Sequence, residues 1–196
     1  MKFIFASLAL LLMLNPLTAA AEEAPGLGMS IGTGLRSDKG LLGIGIDVPV
    51  GRAFAQFDVG ADPAGLLLSA MYKVPIYQET SGEHWLSKCL FLFECDSSVL
   101  VGVGLKHFMK STVIVRPGAA DETEYEHASR WAAGGTVTLR SHFRTAIFWD
   151  VDVTYRQVFN DGEITLTRGT EQPSDKSDLK TWDSGIGVGT SLGYRF

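Results

Sequence analysis

A chain of 196 residues with 22 glycines, 45% hydrophobic and only 20% charged residues is too apolar to stay disordered and short enough for one domain. Its acidic balance, 17 Lys+Arg against 22 Asp+Glu, provides no basic stripe to neutralise phosphates and excludes nucleic acid as a partner. Past the first two dozen residues no run reaches the roughly 20 apolar residues that a spanning helix needs, which excludes a helical membrane protein.

The chain opens with a basic pair, Met1-Lys2, an apolar run from Phe3 to Leu14, and the small-residue exit Pro16-Leu17-Thr18-Ala19-Ala20-Ala21. That order is the signature of a secretory signal peptide over 1–21, cut after Ala21, and the run is too short for an anchor. Without Lys2, 16 Lys+Arg face the same 22 Asp+Glu, a formal charge of −6 for the mature chain 22–196. No cysteine follows the cut, so lipid attachment there is not expected.

The mature part alternates with period two, the signature of strands, in eight runs. The first sets Leu27, Met29, Ile31, Thr33 and Leu35 against Gly28, Ser30, Gly32 and Gly34. Ser37-Asp38-Lys39-Gly40 turns the chain into the second, with Leu42, Ile44, Ile46, Val48 and Val50 against Gly43, Gly45 and Asp47. A tight turn at Gly51 leads to the third, Ala55, Phe57 and Val59 against Gln56, Asp58 and Gly60. After Asp62-Pro63-Ala64-Gly65 comes the fourth, Leu66 to Val74, with Ser69 and Lys73 opposite.

A long connection follows, from Pro75 to about Ser98; its apolar stretch Cys89 to Phe93 suggests an interfacial hairpin or, alternatively, two further strands. The fifth run has Val99, Val101, Val103 and Leu105 against Gly102, Gly104 and Lys106, continuing to Val115. An acidic loop from Pro117 to Glu124 precedes the sixth, with Trp131, Val137 and Leu139 against Arg130, Gly134 and Arg140. The seventh, from Phe143, sets Ile147, Trp149, Val151, Val153 and Tyr155 against Arg144, Asp150, Asp152 and Arg156. A polar loop from Asn160 to Lys180 leads to the eighth, Ile186, Val188, Leu192, Tyr194 and Phe196 against Asp183, Gly185, Gly187, Gly189, Gly193 and Arg195.

Alternation alone also fits a soluble sandwich or a lipocalin-like barrel. The composition of the polar face decides, for it carries 13 glycines, at positions 28, 32, 34, 43, 45, 60, 102, 104, 134, 185, 187, 189 and 193. A solvated strand face favours Thr, Lys and Glu over entropically costly glycine, whereas a crowded lumen needs small residues beside its charges. The apolar face then meets lipid, and closure removes the sheet edges that hydrocarbon does not tolerate. Its aromatics (Tyr72, Phe143, Tyr155, Trp182, Tyr194, Phe196) cluster toward strand ends as interfacial girdles do, while Trp149 falls mid-strand.

In this pattern, and above all in the last strand Gly189-Thr190-Ser191-Leu192-Gly193-Tyr194-Arg195-Phe196, the chain resembles the small eight-stranded outer-membrane barrels of the A/X type. The resemblance covers about 170 residues. It implies an all-β, antiparallel up-and-down transmembrane barrel of eight strands, or alternatively ten, in the outer membrane of a Gram-negative bacterium. It further implies that Leu192, Tyr194 and Phe196 form the C-terminal signal read by the barrel assembly machinery. Outer-membrane lipid and lipopolysaccharide are the expected surroundings, a monomer the expected state, and no cofactor is expected.

Glu126-His127-Ala128-Ser129 resembles the His-x-Ser element of lipid A 3-O-deacylases, and by parity His127 and Ser129 face lipid. Arg130 stands where that family has Asn, and no acidic partner follows to orient the histidine, so an acyl hydrolase is the alternative and a non-enzymatic role the expectation. The inward charges, among them Asp58, Lys106, Arg130, Asp150, Asp152 and Arg156, read as a salt-bridged interior or a narrow pore lining. Lys106, Arg130, Asp150 and Asp58 are expected to share one layer, with variable loops near Asp38, Asp62, Asp121 and 162–180 at the surface. His84, His107, His127 and His142 lack ligand spacing for a metal. Cys89 and Cys95, the only cysteines, are expected to pair in an oxidising compartment.

Overall fold

The computed structural model describes residues 26–62, 65–79, 88–89, 93–94, 96–115, 123–143, 146–159, 164–168 and 184–196. In chain order the strands are β1 (Gly28–Leu35), β2 (Leu42–Val50), β3 (Ala53–Asp62), β4 (Gly65–Glu79), β5 (Lys88–Cys89), β6 (Phe93–Glu94), β7 (Asp96–Phe108), β8 (Ser111–Val115), β9 (Thr123–His127), β10 (Arg130–His142), β11 (Ile147–Val158), β12 (Ile164–Arg168) and β13 (Gly185–Arg195). Eight of them close an antiparallel barrel in the order β1, β2, β3, β4, β7, β10, β11, β13, and β13 pairs with β1 from Gly28↔Arg195 to Leu35↔Val188. The eight-strand architecture expected from the alternation is therefore present. The ten-strand alternative is not: β5 and β6 pair with each other, outside the wall.

Period two sorts the side chains across this wall as the sequence requires. Along β11 every second residue from Phe148 to Val158 is buried, and along β3 Gln56, Asp58, Gly60 and Asp62 are buried while Phe57, Val59 and Ala61 are exposed. Apolar residues on every wall strand face outward, among them Ile31, Ile44, Leu68, Leu105, Val137, Val153 and Leu192. The distribution is that of a barrel with its polar side in and its apolar side out. No described helix is long and apolar enough to cross a membrane.

Several boundaries differ from the expectation, each for a local reason. β4 extends to Glu79 and β7 starts at Asp96, so the wall includes both ends of what reads as a loop from Pro75 to Ser98. Pro75 sits at a register shift in the β4/β7 ladder, where a residue without an N–H does least damage. β7 stops at Phe108, and 111–115 form β8, which pairs with β9, and β9 with β12, in a separate three-stranded sheet. β9 and β12 lie in segments that read as loops, being short and polar. β11 begins at Ile147 rather than Phe143, which puts Trp149 third in the strand, close to the rim that carries Tyr194 and Phe196. There its indole N–H donates to Thr190 Oγ1 at 2.7 Å.

Gly28 and Arg195 mark the terminal rim, and Leu67 and Phe108, paired at the other end of the wall, mark the far rim.

Candidate functional site in the charged lumen

The lumen is filled in three groups. At the terminal rim Arg140 donates through Nε to Asp150 at 2.8 Å, and its outer nitrogen reaches Asp150 at 2.7 Å and Asp47. The guanidinium lies over the rings of Phe148 and Phe54, at 4.2 and 5.2 Å from their centroids, in cation–π contact with both. Gly193 makes this possible, since a Cβ there would strike the Phe148 ring.

In the middle, Lys73 reaches Asp152 at 3.2 Å and Thr138 at 2.9 Å. Asp38 pairs with Lys106 and stands 3.9 Å from Lys73, and Lys39 pairs with Asp58 at 3.2 Å. Gln56 donates to Asp58 at 2.8 Å. Toward the far rim Arg156 pairs with Asp62 at 3.2 Å, and Arg156 and Arg130 both lie over Phe108. Leu67, Phe108, Ala132 and Val158 form a small apolar cluster there.

Asp38 and Lys39 come from an unexpected place. The connection between β1 and β2 does not stand at the surface; it folds back into the lumen, leaving Ser37, Asp38 and Lys39 no more than 4% exposed. Arg36 and Gly40 turn the chain inward with positive φ of 55° and 65°. Leu41 N–H donates to the Ala61 carbonyl at 2.7 Å, and Thr154 Oγ1 donates to the Arg36 carbonyl at 2.9 Å. Room exists because Gly32 pairs with Gly43 and Gly43 with Gly60, a bare strip across three neighbouring strands on the inner face. Lys39 lies along that strip: a Cβ at Gly43 or Gly60 would collide with its carbonyl. Only this register of three glycines marks the inserted turn; the composition of the turn itself does not. Asp62 is likewise buried, so neither Asp38 nor Asp62 stands at the surface as expected; 63–64 lie outside the described residues.

Asp58, Lys106, Arg130, Asp150, Asp152 and Arg156 are all buried. They do not share one layer. Asp150 belongs to the terminal group, Asp58, Lys106 and Asp152 to the middle, Arg130 and Arg156 to the far rim. Asp150 lies opposite Arg140 in the ladder, ten positions along β10 from Arg130, or about 33 Å at the strand rise. Leu192 and Tyr194 project outward on β13 and Phe196, one residue beyond it, is exposed, its ring edge-on to Tyr194 with centroids 5.1 Å apart. Arg195 is half-buried, over Phe54. The β5/β6 register sets Cys89 opposite Phe93; Cys95, Arg144, Trp182 and Asp183 lie outside the described residues.

His127 is 4% exposed, not lipid-facing, and Ser129 is exposed. Burial and the neighbouring Arg130 cation hold the His127 imidazole below its ordinary value. Its Nδ1 meets no hydrogen-bond partner among the described residues, so no group there orients it as a base. Glu126 is occupied by Lys110 at 2.7 Å. Among the described residues no cluster of His, Cys, Asp or Glu could hold a metal. Comparison with family models, with curated proteins and with solved structures finds none that this chain matches.

Proposed function

We propose that this chain is an integral outer-membrane protein of a Gram-negative bacterium, exported by the signal peptide 1–21 and inserted by the barrel assembly machinery through its Leu192, Tyr194 and Phe196 ending. One observation carries the reading: a closed wall whose outside is apolar on every strand and whose inside is glycine and paired charge. A soluble barrel would bury the apolar side, whereas hydrocarbon reverses the preference. With the termini periplasmic, the far rim and the β8/β9/β12 sheet face the cell exterior. The role is non-enzymatic, structural or in surface interaction. A pore role is less well supported, because Asp38 and Lys39 occupy the lumen that a solute would use. In the oxidising periplasm Cys89 and Cys95 form a disulfide; alkylation of both thiols in non-reduced protein would refute it.

The experiment is fractionation of cells expressing the full chain. The mature protein should begin at Glu22, sediment with the outer membrane and migrate faster on a gel when unboiled. Recovery as a soluble periplasmic protein ends this reading.

A further inference from the structure

The inserted turn is a self-contained piece. Ser37 Oγ donates to the Gly40 carbonyl at 3.0 Å and the Gly40 N–H to the Ser37 carbonyl at 3.4 Å, so its internal bonds travel with it. It meets the strands at Arg36 and Gly40, the two positions of positive φ. Its flanks are anchored, Leu41 on the Ala61 carbonyl and the Arg36 carbonyl on Thr154. The wall beneath it is glycine: the Lys39 stem crosses Gly32 and Gly45, where there is no side chain to interlock with it.

Charge balance sets this turn apart from the rest of the lumen. It carries one carboxylate, Asp38, and one ammonium, Lys39, while the wall residues around it, Asp58, Lys73, Lys106 and Asp152, carry two charges of each sign. Each set is neutral without the other. With the turn seated, Asp38 holds Lys106, Lys39 holds Asp58, and Lys73 has Asp152. The ladder gives Lys106 and Asp58 a second option. Asp58 stands opposite Ser69 and Ser69 opposite Lys106, so the three form one row across β3, β4 and β7, all buried on the inner face. The ends of the row are two strand spacings apart, about 9.6 Å between Cα atoms, a span that an extended lysine and an aspartate bridge. Between them stands only Ser69, whose buried hydroxyl has no hydrogen-bond partner among the described residues.

We propose that the turn 37–40 is a removable plug, which leaves the lumen as a unit while Lys106 exchanges Asp38 for Asp58 and the barrel wall stays closed. It swings on Arg36 and Gly40 toward the side away from the termini, where β1 and β2 lead. Breaking a buried ion pair is costly when one partner stays behind alone. Here none does: Asp58 and Lys106 take each other, Lys73 keeps Asp152, and Asp38 and Lys39 pass into water. The step is therefore a local opening, well below the free energy of unfolding the wall. It makes the interior gated. With the turn seated the lumen is filled; with the turn out, Asp58, Ser69, Lys73, Lys106 and Asp152 line an open polar space. The device needs only the closed barrel, so it stands or falls independently of the membrane reading.

The test acylates the folded mature protein in detergent with an amine reagent and follows each lysine by peptide mass spectrometry. In wild type Lys39 is expected to be modified more slowly than the exposed Lys110, yet about tenfold faster than Lys73 and Lys106, which stay in the wall when the turn leaves. Lys39 modified in step with Lys73 overturns the plug, because the turn then leaves only when the whole barrel unfolds. Asp38→Asn tests the exchange of partners. It weakens only the seated state, so modification of Lys39 should rise about tenfold while that of Lys73 and the midpoint of urea unfolding stay as in wild type. A lowered midpoint, with Lys39 no faster relative to Lys73, shows that Lys106 has no second partner and overturns the exchange. Failure of the Asp38→Asn protein to fold has the same meaning, and the wild-type rates then decide the plug alone.

Discussion

Arg140 shows what a charge inside this barrel depends on. Its guanidinium serves Asp47 and Asp150 at once and lies over two phenylalanine rings, so Arg140→Met strands two carboxylates in a poorly solvated interior. The expected cost is about 3–5 kcal/mol in urea unfolding from lipid vesicles. Adding Asp47→Asn and Asp150→Asn should recover most of it, since neutral amides need no counter-charge; a triple variant as weak as the single one contradicts this account. Arg130 and Asp150 stand in different groups, and the costs of Arg130→Ala and Asp150→Ala should add to within about 0.5 kcal/mol. A larger coupling would mean that the two charges meet after all.

His127 lies outside the wall strands and has a predictable pH dependence. Its imidazole is harder to protonate folded than unfolded, so the unfolded chain takes up a proton first as pH falls below about 6.5. Stability contributed by a neutral His127 is therefore complete above that pH and declines on acidification. His127→Gln should flatten the decline in protease resistance of the β8/β9/β12 sheet between pH 7.5 and 5. An unchanged profile would assign the acid response to other groups.

At the scale of an element, the turn 36–41 is the informative piece. It lies inside because three paired glycines leave the inner face bare, and Gly60→Val should drive it out. Lys39 then reads the result. In wild type its ammonium is buried against Asp58 and should resist acylation by an amine reagent; in Gly60→Val it should be modified as fast as the exposed Lys110. Protection of Lys39 in both proteins would show that the strip tolerates side chains. The alternation of β2 and β3 was plain in the sequence, yet the fate of the turn between β1 and β2 was not. Ser37-Asp38-Lys39-Gly40 has the composition of any exposed turn, and only the register that aligns Gly32, Gly43 and Gly60 distinguishes it. β9 and β12 were missed for a related reason: five-residue strands acquire their identity from each other, not from their own patterns.

For the whole molecule, the filled lumen predicts a barrel without a steady conductance in planar bilayers. Deleting 37–40 removes Asp38 and Lys39 from the middle group, leaves Lys106 without its carboxylate and Asp58 without its cation while Lys73 keeps Asp152, and should open a path lined by charges of both signs. The expected result is a channel of measurable current, without strong preference for either sign of ion, in the deletion protein and none in wild type. A large steady current in wild type would return the lumen to a pore lining.

The sequence by itself determined the fold class and which face is inside, because these depend on period two and on composition, and both are written locally in the wall strands; it left eight or ten strands open, and the pairing of β5 with β6 outside the wall decided for eight. It also placed Asp58, Lys106, Arg130, Asp150, Asp152 and Arg156 on the inner side. Which of them meet was decided by the tertiary structure alone, because partnership across a lumen depends on register and strand tilt. A parity count carries neither. The same holds for the inserted turn: it follows from how neighbouring strands align, a relation between distant residues that no single run contains.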